Sequence, residues 1–250
     1  MSMIVCFSGT GHSLRVARDL AQGLGEPPPV SVRAWERQRE TAGERLVLVF
    51  PVYAFGPPRL LTTVIDRMEA IRAGQVYAVA TAGGTPGSAL TILDGHLRER
   101  GAVLRGGWII TRWDTWLNRY HIKINIMVRA IKEGRAGLLP GSSLLFDALS
   151  PLLYRGFCRR VGATGRRFRL AATCTRCGLC ARLCPVDNIT LGDDGRPRWG
   201  DACEACLACY AWCPARAIRF GWWGRLLPAE PPAGLTAQDL LALKEQTRPA

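Results

Sequence analysis

The sequence lacks any long uninterrupted apolar stretch. Its longest apolar-leaning run, residues 46–58, is broken by prolines and is shorter than the roughly 18 residues that a membrane-spanning helix needs. The N-terminus also lacks the basic region, the apolar core and the small-residue cleavage site of a signal peptide, because Met1 leads directly into a strand-like segment. We therefore expect a cytoplasmic protein without a membrane span.

Recognisable catalytic motifs are also absent. The sequence contains neither a G-x-S-x-G nucleophile turn nor an H-E-x-x-H zinc motif, and its three histidines are not spaced as metal ligands. We expect no catalytic residues of the nucleophilic or acid–base kind. The formal charge is +13, but only three of the 33 basic residues are lysines and no nucleic-acid reader motif accompanies the arginines. Nucleic acid is therefore not expected as a partner.

Cysteine, in contrast, is abundant and clustered. Of the ten cysteines, eight fall in two short groups near the C-terminus, each with the spacing C-x2-C-x2-C-x3-C-P. Bacterial ferredoxins use this run to bind [4Fe–4S] clusters. The first group is Cys174, Cys177, Cys180 and Cys184, and the second is Cys203, Cys206, Cys209 and Cys213.

The two groups form an internal repeat, in which Cys174 corresponds to Cys203 and Pro185 to Pro214. In such a run three closely spaced thiolates surround three corners of one cubane, while the fourth cysteine reaches the neighbouring cluster. We therefore predict two crossed ligand sets for two [4Fe–4S] clusters. Cluster 1 would be held by Cys174, Cys177, Cys180 and Cys213, and cluster 2 by Cys203, Cys206, Cys209 and Cys184.

Disulfide bonds and zinc account for these cysteines less well. Disulfides are typical of exported proteins, and no export signal is present. Zinc sites use four ligands, commonly arranged as two separated pairs, which fits the observed spacing poorly. The two remaining cysteines, Cys6 and Cys158, lie in apolar contexts, where a buried inert thiol is the usual state.

The N-terminal part of the chain, up to Thr111, alternates between strand-like and helix-like segments. Apolar runs at residues 3–7, 45–50, 76–81 and 108–111, with a weaker one at 30–32, are separated by stretches with helical periodicity. Short continuous apolar strands between helices are typical of a parallel sheet that is buried on both faces. We predict an α/β, doubly wound, five-stranded parallel sheet of order 2-1-3-4-5, with one later helix covering it and residues 161–167 as a linker.

The segment after the first strand has the composition of a phosphate-binding loop. It follows a strand and opens a helix, where backbone N–H groups and the helix dipole favour anions. Its glycines permit close backbone approach, and its hydroxyls can donate to phosphate oxygens; a simple tight connection is the alternative. The loop consists of Ser8, Gly9, Thr10, Gly11, His12 and Ser13.

This loop resembles the phosphate loop of flavodoxins, which bind FMN, with His12 where asparagine is usual. Two further loops at strand ends strengthen the resemblance, which implies that Tyr53 and Phe55 stack on the flavin ring and that glycine-flanked amides reach its polar edge. The loop after the third strand contributes Pro51, Val52, Tyr53, Ala54, Phe55 and Gly56, and the loop after the fourth contributes Ala82, Gly83 and Gly84.

The whole chain resembles fusion proteins of bacteria and archaea that join a flavodoxin-like domain to a two-cluster ferredoxin. The resemblance implies a flavodoxin-like FMN-binding domain with a helical extension at residues 1–165. A small α+β, ferredoxin-like two-cluster domain would follow at 166–221, and a tail at 222–250. Within the tail, Thr236 and Asp239 form a capping-box pattern, which predicts a short helix.

The resemblance implies an electron-transfer protein that passes electrons between two [4Fe–4S] clusters and FMN. Two alternatives remain open. One is a flavin-dependent reductase of a small acceptor fed by the clusters, and the other is a ferredoxin whose flavodoxin-like domain is flavin-free and serves for docking. After the fifth strand, Trp113 and Trp116 could cover the flavin or pack under the next helix.

Arginine is concentrated between residues 155 and 182, where there are eight arginines and no acidic residue. One interpretation is a docking surface for redox partner proteins with acidic surfaces, which electrostatic steering would bring together. The other is local charge balance beside anionic clusters and a flavin phosphate.

Overall fold

The computed structural model describes residues 2–38, 43–137, 144–221 and 230–246, with the backbone alone for residues 144–147. A five-stranded sheet lies at the centre of the chain, in the order β2-β1-β3-β4-β5 with every neighbouring pair parallel. This is the flavodoxin-like arrangement, so the predicted strand order is confirmed. The strands are Ser2–Cys6 (β1), Val30–Ser31 (β2), Gly43–Pro51 (β3), Ala73–Ala82 (β4) and Leu104–Thr111 (β5).

The central strands are buried on both faces. In β3, Val47, Leu48 and Val49 are at most 1% exposed, although successive side chains point to opposite sides of the sheet. Strand β3 pairs with β1 on one side and with β4 on the other. A parallel sheet needs helices on both faces to bury such strands, which is why the apolar runs are continuous rather than alternating.

Helices cover the two faces of the sheet. On one face α1 (His12–Leu24) packs with α6 (Tyr120–Lys132), which is the later helix expected to cover the sheet. The other face is covered by α2 (Val32–Gln38), α3 (Arg59–Arg67) and α4 (Ala89–Arg98). A short helix, α5 (Arg112–Trp116), follows β5. Neither α2 nor α5 is expected from the sequence periodicity. None of the helices in the described parts of the chain is both long and apolar enough to cross a membrane.

The segment predicted as a linker has regular structure. After α7 (Leu144–Arg160), residues Val161–Arg167 form a 3-10 helix that leads to the next strand. Its glycines are where the chain approaches another backbone: a Cβ atom added to Gly162 would overlap the carbonyl oxygen of Asp201, and one added to Gly165 would overlap that of Gly200. The glycines therefore indicate close packing here rather than freedom of movement.

Residues 168–220 form a smaller body, which we call the cysteine-rich unit. Strand β6 (Phe168–Leu170) pairs with β9 (Ile218–Phe220), and β7 (Ile189–Leu191) pairs with β8 (Pro197–Trp199), both antiparallel. Two short helices, α8 (Leu179–Leu183) and α9 (Ala208–Ala211), complete it. Its own core contains Phe168, Ile189 and Ile218.

The backbone of this unit repeats itself in step with its sequence. Residues with a left-handed backbone conformation (positive φ) recur at equivalent positions. Helices α8 and α9 also begin at the equivalent residues Leu179 and Ala208. Because left-handed conformations are rare for residues other than glycine, their recurrence shows that both halves fold to one template. The equivalent pairs are Arg176 and Ala205, Gly178 and Leu207, and Asp187 and Arg216.

The C-terminal segment returns to the sheet domain. Helix α10 (Ala237–Glu245) buries Leu240, Leu241 and Leu243 in the same apolar core as α1. The expected capping box is present, since Asp239 accepts hydrogen bonds from the Thr236 amide and hydroxyl, both at 2.7 Å. Asp239 also pairs with Arg18 of α1 at 2.7 Å, so one carboxylate both starts the helix and fastens it to the sheet domain.

We expect Asp239→Ala to loosen α10 by about 1 kcal/mol, since the cap and the ion pair are lost together. Hydrogen exchange of the α10 amides should accelerate about fivefold while exchange in the sheet stays unchanged. Gln238→Ala is the matched control, because Gln238 is an exposed neighbour on the same helix. Equal exchange rates in the two variants would contradict the anchoring role.

Candidate functional site

The first three cysteines of the first group surround a pocket together with the last cysteine of the second. The pocket lies between the loop that precedes α8 and the turn that follows α9. Its cysteines are Cys174, Cys177, Cys180 and Cys213, and Thr175, Arg176 and Pro197 complete its rim. Burial raises the pKa of Cys180 to about 11, and the nearby Cys177 and Cys213 thiols act in the same direction. Four thiols from two sequence groups therefore share one site.

The fourth cysteine of the first group, Cys184, is not among the residues lining this pocket and lies near the second group. Burial raises the pKa of the Cys206 thiol well above its ordinary value, and the thiols of Cys184, Cys209 and Cys203 reinforce that shift. Burial also raises the pKa values of Cys203 and Cys209, and the Cys184 thiol acts on both in the same direction. Cys184 therefore lies nearer to the second group of thiols than its place in the sequence indicates.

Backbone amides point at the sulfur atoms in a repeated pattern. The Asn188 amide donates to Cys184 Sγ at 3.2 Å, and its counterpart in the other half, Ala217, donates to Cys213 Sγ at 3.3 Å. Ala205 donates to Cys203 Sγ at 3.3 Å. Hydrogen bonds of this kind favour a thiolate over a thiol.

The indole of Trp199 provides one further donor. It stacks on Phe168 with ring centroids 5.5 Å apart, and its Nε1 is buried with no completed hydrogen bond among the described residues. The group it faces is Cys209, whose thiolate form it favours. A buried N–H without an acceptor is uncommon, and the Cys209 sulfur is the acceptor that this one faces.

The thiols do not form a compact single-ion site as they stand. Zinc–sulfur bonds of about 2.3 Å place thiolates about 3.8 Å from one another. Among the residues that the structure describes, no three cysteine sulfurs lie within 4.8 Å of one another.

The two cysteine sets differ in exposure. Cys177 of the first set is exposed, and the pocket it lines opens to the surface. Cys184, Cys203 and Cys209 of the second set are buried. The second set is the one that lies against the sheet, because Cys206 packs into the core that contains β3 and α3.

Glu204 fastens the second set to the sheet domain. Its carboxylate is 4% exposed and accepts hydrogen bonds from the Leu60 amide at 3.0 Å and from Arg59 Nε at 2.9 Å. Arg59 also donates to the Cys203 carbonyl at 3.3 Å. The Leu60 amide lies in the first turn of α3, where the helix dipole favours a negative charge. This residue was not among the sequence candidates, and only its position between two cysteines could have drawn attention to it.

The predicted phosphate loop lies beneath the cysteine-rich unit. A Cβ atom on Gly9 would overlap the Cys206 carbonyl oxygen, and Trp212 Nε1 donates to the Gly9 carbonyl at 3.0 Å. A Cβ atom on Gly11 would lie 3.0 Å from both Trp212 and Pro232. The loop is therefore in contact with the chain itself over much of its surface.

Side chains of the loop are also engaged. Ser8 Oγ accepts the amides of Gly11 and Leu14, at 3.2 and 3.3 Å, and Ser13 Oγ shares a hydrogen bond of 2.8 Å with Thr81. His12 Nε2 lies 3.1 Å from the Glu230 carbonyl. Three of the four polar side chains of the predicted phosphate loop are therefore bonded to the chain itself.

The loop after β3 is closed as well. Ala54 and Phe55 both adopt left-handed backbone conformations in a tight turn, which Tyr53 and Gly56 close by two mutual backbone hydrogen bonds. The Tyr53 ring meets Phe7 edge to face at 6.2 Å and packs against the same apolar core as Cys206. Pro51 ends β3, and the Val52 amide donates to the Thr81 carbonyl at 2.8 Å.

Gly56, in the loop after β3, is also covered, whereas part of the loop after β4 is open. A Cβ atom on Gly56 would overlap the Tyr154 ring of α7, and one on Gly87 would overlap Phe55. Gly83 and Gly84, which follow Ala82 after β4, are exposed with no neighbour in reach among the described residues. Two of the three loops predicted to bind FMN contact other parts of the chain at these positions, so the residues present do not fit the cofactor.

Residues outside this region provide weaker candidates. Trp113 and Trp116 contact each other edge to face at 5.7 Å but are 55% and 75% exposed, so they do not pack under the following helix. Asp66, His96 and Glu99 lie close enough to share a cation. However, His96 Nδ1 already bonds Asp66 at 2.6 Å, as expected of a surface ion pair.

Comparisons with known proteins add little about function. No protein-family model matches the chain, and no curated protein matches it. Among solved structures, the Trp repressor binding protein from Bacillus subtilis is similar, with 15% identity over 44% of this chain and 84% of that one, at a TM-score of 0.37. The fold assignment depends instead on the strand order described above.

Removing the Glu204 carboxylate should weaken the contact between the sheet domain and the cysteine-rich unit. Glu204→Ala is expected to lower the free energy of unfolding by about 2–4 kcal/mol, because it leaves Arg59 and the first turn of α3 without their buried partner. The measurement is urea unfolding followed by circular dichroism. Glu245→Ala, which removes an exposed partner of Arg182, is the control and should cost about 0–1 kcal/mol. Equal losses would show that the Glu204 contacts are not what joins the bodies.

Proposed function

We propose that the chain is an electron-transfer protein that carries two [4Fe–4S] clusters on a flavodoxin-like scaffold. The observation that carries the proposal is the crossed grouping of the eight cysteines. Cys213 joins the loop of the first group, and Cys184 joins the loop of the second. Bacterial-type two-cluster proteins require this exchange of fourth ligands.

The spacing of the cysteines in the sequence supports clusters over single zinc ions. Zinc sites commonly use two separated pairs of ligands, whereas each group here has the C-x2-C-x2-C-x3-C-P spacing of bacterial ferredoxins. The buried Trp199 N–H beside Cys209 is a second supporting feature, because it would donate toward a cluster that this sulfur holds.

Each bound cluster would accept and release one electron at a time. The protein's contribution is to hold eight thiolates, to direct backbone amides at their sulfurs and to exclude water from the second set. No acid–base residue is needed for this, which agrees with the lack of catalytic motifs in the sequence. We therefore favour a redox carrier over an enzyme that acts on a small acceptor.

The difference in exposure gives the proposed route a direction in space. The first set, with Cys177 at the surface, is the place for exchange with another protein, and the second set is enclosed between the cysteine-rich unit and the sheet. Arg159, Arg160, Arg167 and Arg176 are exposed near the first set or on the segment that leads to it. Their charge would attract a redox partner with an acidic surface.

Iron and acid-labile sulfide in anaerobically purified protein test the proposal. We expect about eight of each per chain. Cys184→Ser should lose about half of the iron, and the surviving cluster should be the one held by Cys174, Cys177, Cys180 and Cys213. Cys213→Ser should lose about half as well but keep the other cluster, and the two variants should differ in the spectra of their reduced states.

Cys158→Ser is the matched control and should retain the wild-type iron content, since Cys158 belongs to neither set. Colourless protein loaded with zinc would refute the proposal. Loss of the same cluster in both variants would refute the crossed assignment alone.

The Trp199 indole should tune one of the two reduction potentials. We expect Trp199→Phe to keep the stack on Phe168 but to remove the N–H donor beside Cys209. A donor near a cluster stabilises its more negative reduced form, so its loss should lower that potential. A hydrogen bond of about 1 kcal/mol corresponds to about 40 mV for one electron. Redox titration would show this, and two unchanged potentials would contradict the role.

A further inference from the structure

We propose that the loops predicted to bind FMN instead form a surface on which the cysteine-rich unit packs; we call this surface the seat. The second cysteine set then lies where a flavodoxin-like crevice would otherwise hold a flavin. The absence of a flavin is expected whatever the cysteines bind, because it follows from the contacts that the strand-end loops already make. The position of the second cysteine set rests on the proposed function.

The first contact is between two backbones. Gly9 follows β1, and the space that its side chain would fill is taken by the Cys206 carbonyl oxygen. Cys206 belongs to the cysteine-rich unit, near the other end of the chain. Only glycine permits this approach, so the residue that suggests a phosphate loop in the sequence is required here by a protein backbone.

A hydrogen bond to Gly9 and the packing of neighbouring rings hold this contact between the two backbones. The Trp212 indole donates to the Gly9 carbonyl at 3.0 Å, and the Trp212 ring also lies against Gly11. Trp212 is 9% exposed and belongs to the same apolar core as α1 and α10. Pro232 and the Glu230 carbonyl close the far side, against Gly11 and His12.

The polar groups of the loop are consistent with a protein seat. The Ser8 hydroxyl accepts two amides of its own loop, and the Ser13 hydroxyl bonds Thr81. Ser13 is therefore paired without a phosphate, and the Ser8 oxygen is held in place by its own loop. A flavin phosphate would have to displace the Trp212 ring and the Pro232 ring, which lie against Gly11.

The place for the flavin ring is occupied in the same way. Tyr53 meets Phe7 edge to face and packs against the same apolar core as Cys206, and Gly56 is covered by the Tyr154 ring. The turn at Gly83 and Gly84 is open, but the phosphate loop and the aromatic ring that would face it are engaged elsewhere. One open loop does not make the enclosed, multi-sided site that a cofactor of this size needs.

Flavin content and cluster lability test the seat together. Full-length protein purified anaerobically should release no stoichiometric flavin on denaturation, and dialysis of the intact protein against excess FMN should leave none bound. One FMN per chain would overturn the inference. Absence of iron without flavin would refute the proposed function alone, so the two failures are distinguishable.

A matched pair of glycine variants separates a seat from a phosphate loop. Gly9→Ala places a methyl group on the Cys206 carbonyl, so we expect the wild-type flavin content but loss of about half of the iron, or its release to a chelator about fivefold faster. Gly95→Ala is the control, because Gly95 is exposed on α4 with no described neighbour in reach, and iron release should equal that of the wild type. Wild-type iron release from folded Gly9→Ala would overturn the inference.

A milder variant covers the case in which Gly9→Ala does not fold. Trp212→Phe keeps an aromatic ring in the core but removes the donor to the Gly9 carbonyl. Loss of one such hydrogen bond should accelerate iron release to the chelator about fivefold, with the flavin content still absent. Wild-type release, or the appearance of bound FMN, would count against the seat.

Discussion

The structure depends on a close contact between two backbones, that of Gly9 at the end of β1 and that of Cys206 in the cysteine-rich unit. Around it, Trp212 donates to the Gly9 carbonyl and Glu204 accepts the Leu60 amide at the start of α3. These contacts reach two different strand-end loops of the sheet. Both contacts lie beside cysteines of the second set. A change in how the two bodies pack would therefore also change the shape of that set.

The duplication in the cysteine-rich unit shows why its halves can differ so much in environment. Both halves share the left-handed residues and the amide-to-sulfur bonds that shape a cysteine loop, as Asn188 and Ala217 illustrate. These features are local and therefore repeat with the sequence. Exposure is not local: Cys177 faces solvent, whereas its counterpart Cys206 faces the sheet. One repeated template thus provides an accessible set and an enclosed set.

The sequence predicted the elements whose causes are local. The five strands follow from short apolar runs, and α10 follows from its capping box. Helix α2 is short and rich in charge, so its periodicity is too weak to predict it. The glycines of Val161–Arg167 suggest a linker, and Gly9 suggests a phosphate loop, but in the structure these glycines allow close packing of two backbones. A glycine in a loop indicates that something approaches the backbone, but its neighbours in sequence do not indicate what approaches.

The electrostatic field of the crevice would favour either a flavin phosphate or an anionic metal cluster. Helix α1 begins at His12, and its dipole favours negative charge by about 0.3–1 kcal/mol near the first turn. A flavin phosphate would use that field, and so would the proposed thiolate-bound cluster, with a net charge of about −2. A loop suited to phosphate would therefore need little change to receive the proposed cluster. What decides between them is steric: the Cys206 carbonyl and the Trp212 ring already occupy the approach to Gly9 and Gly11.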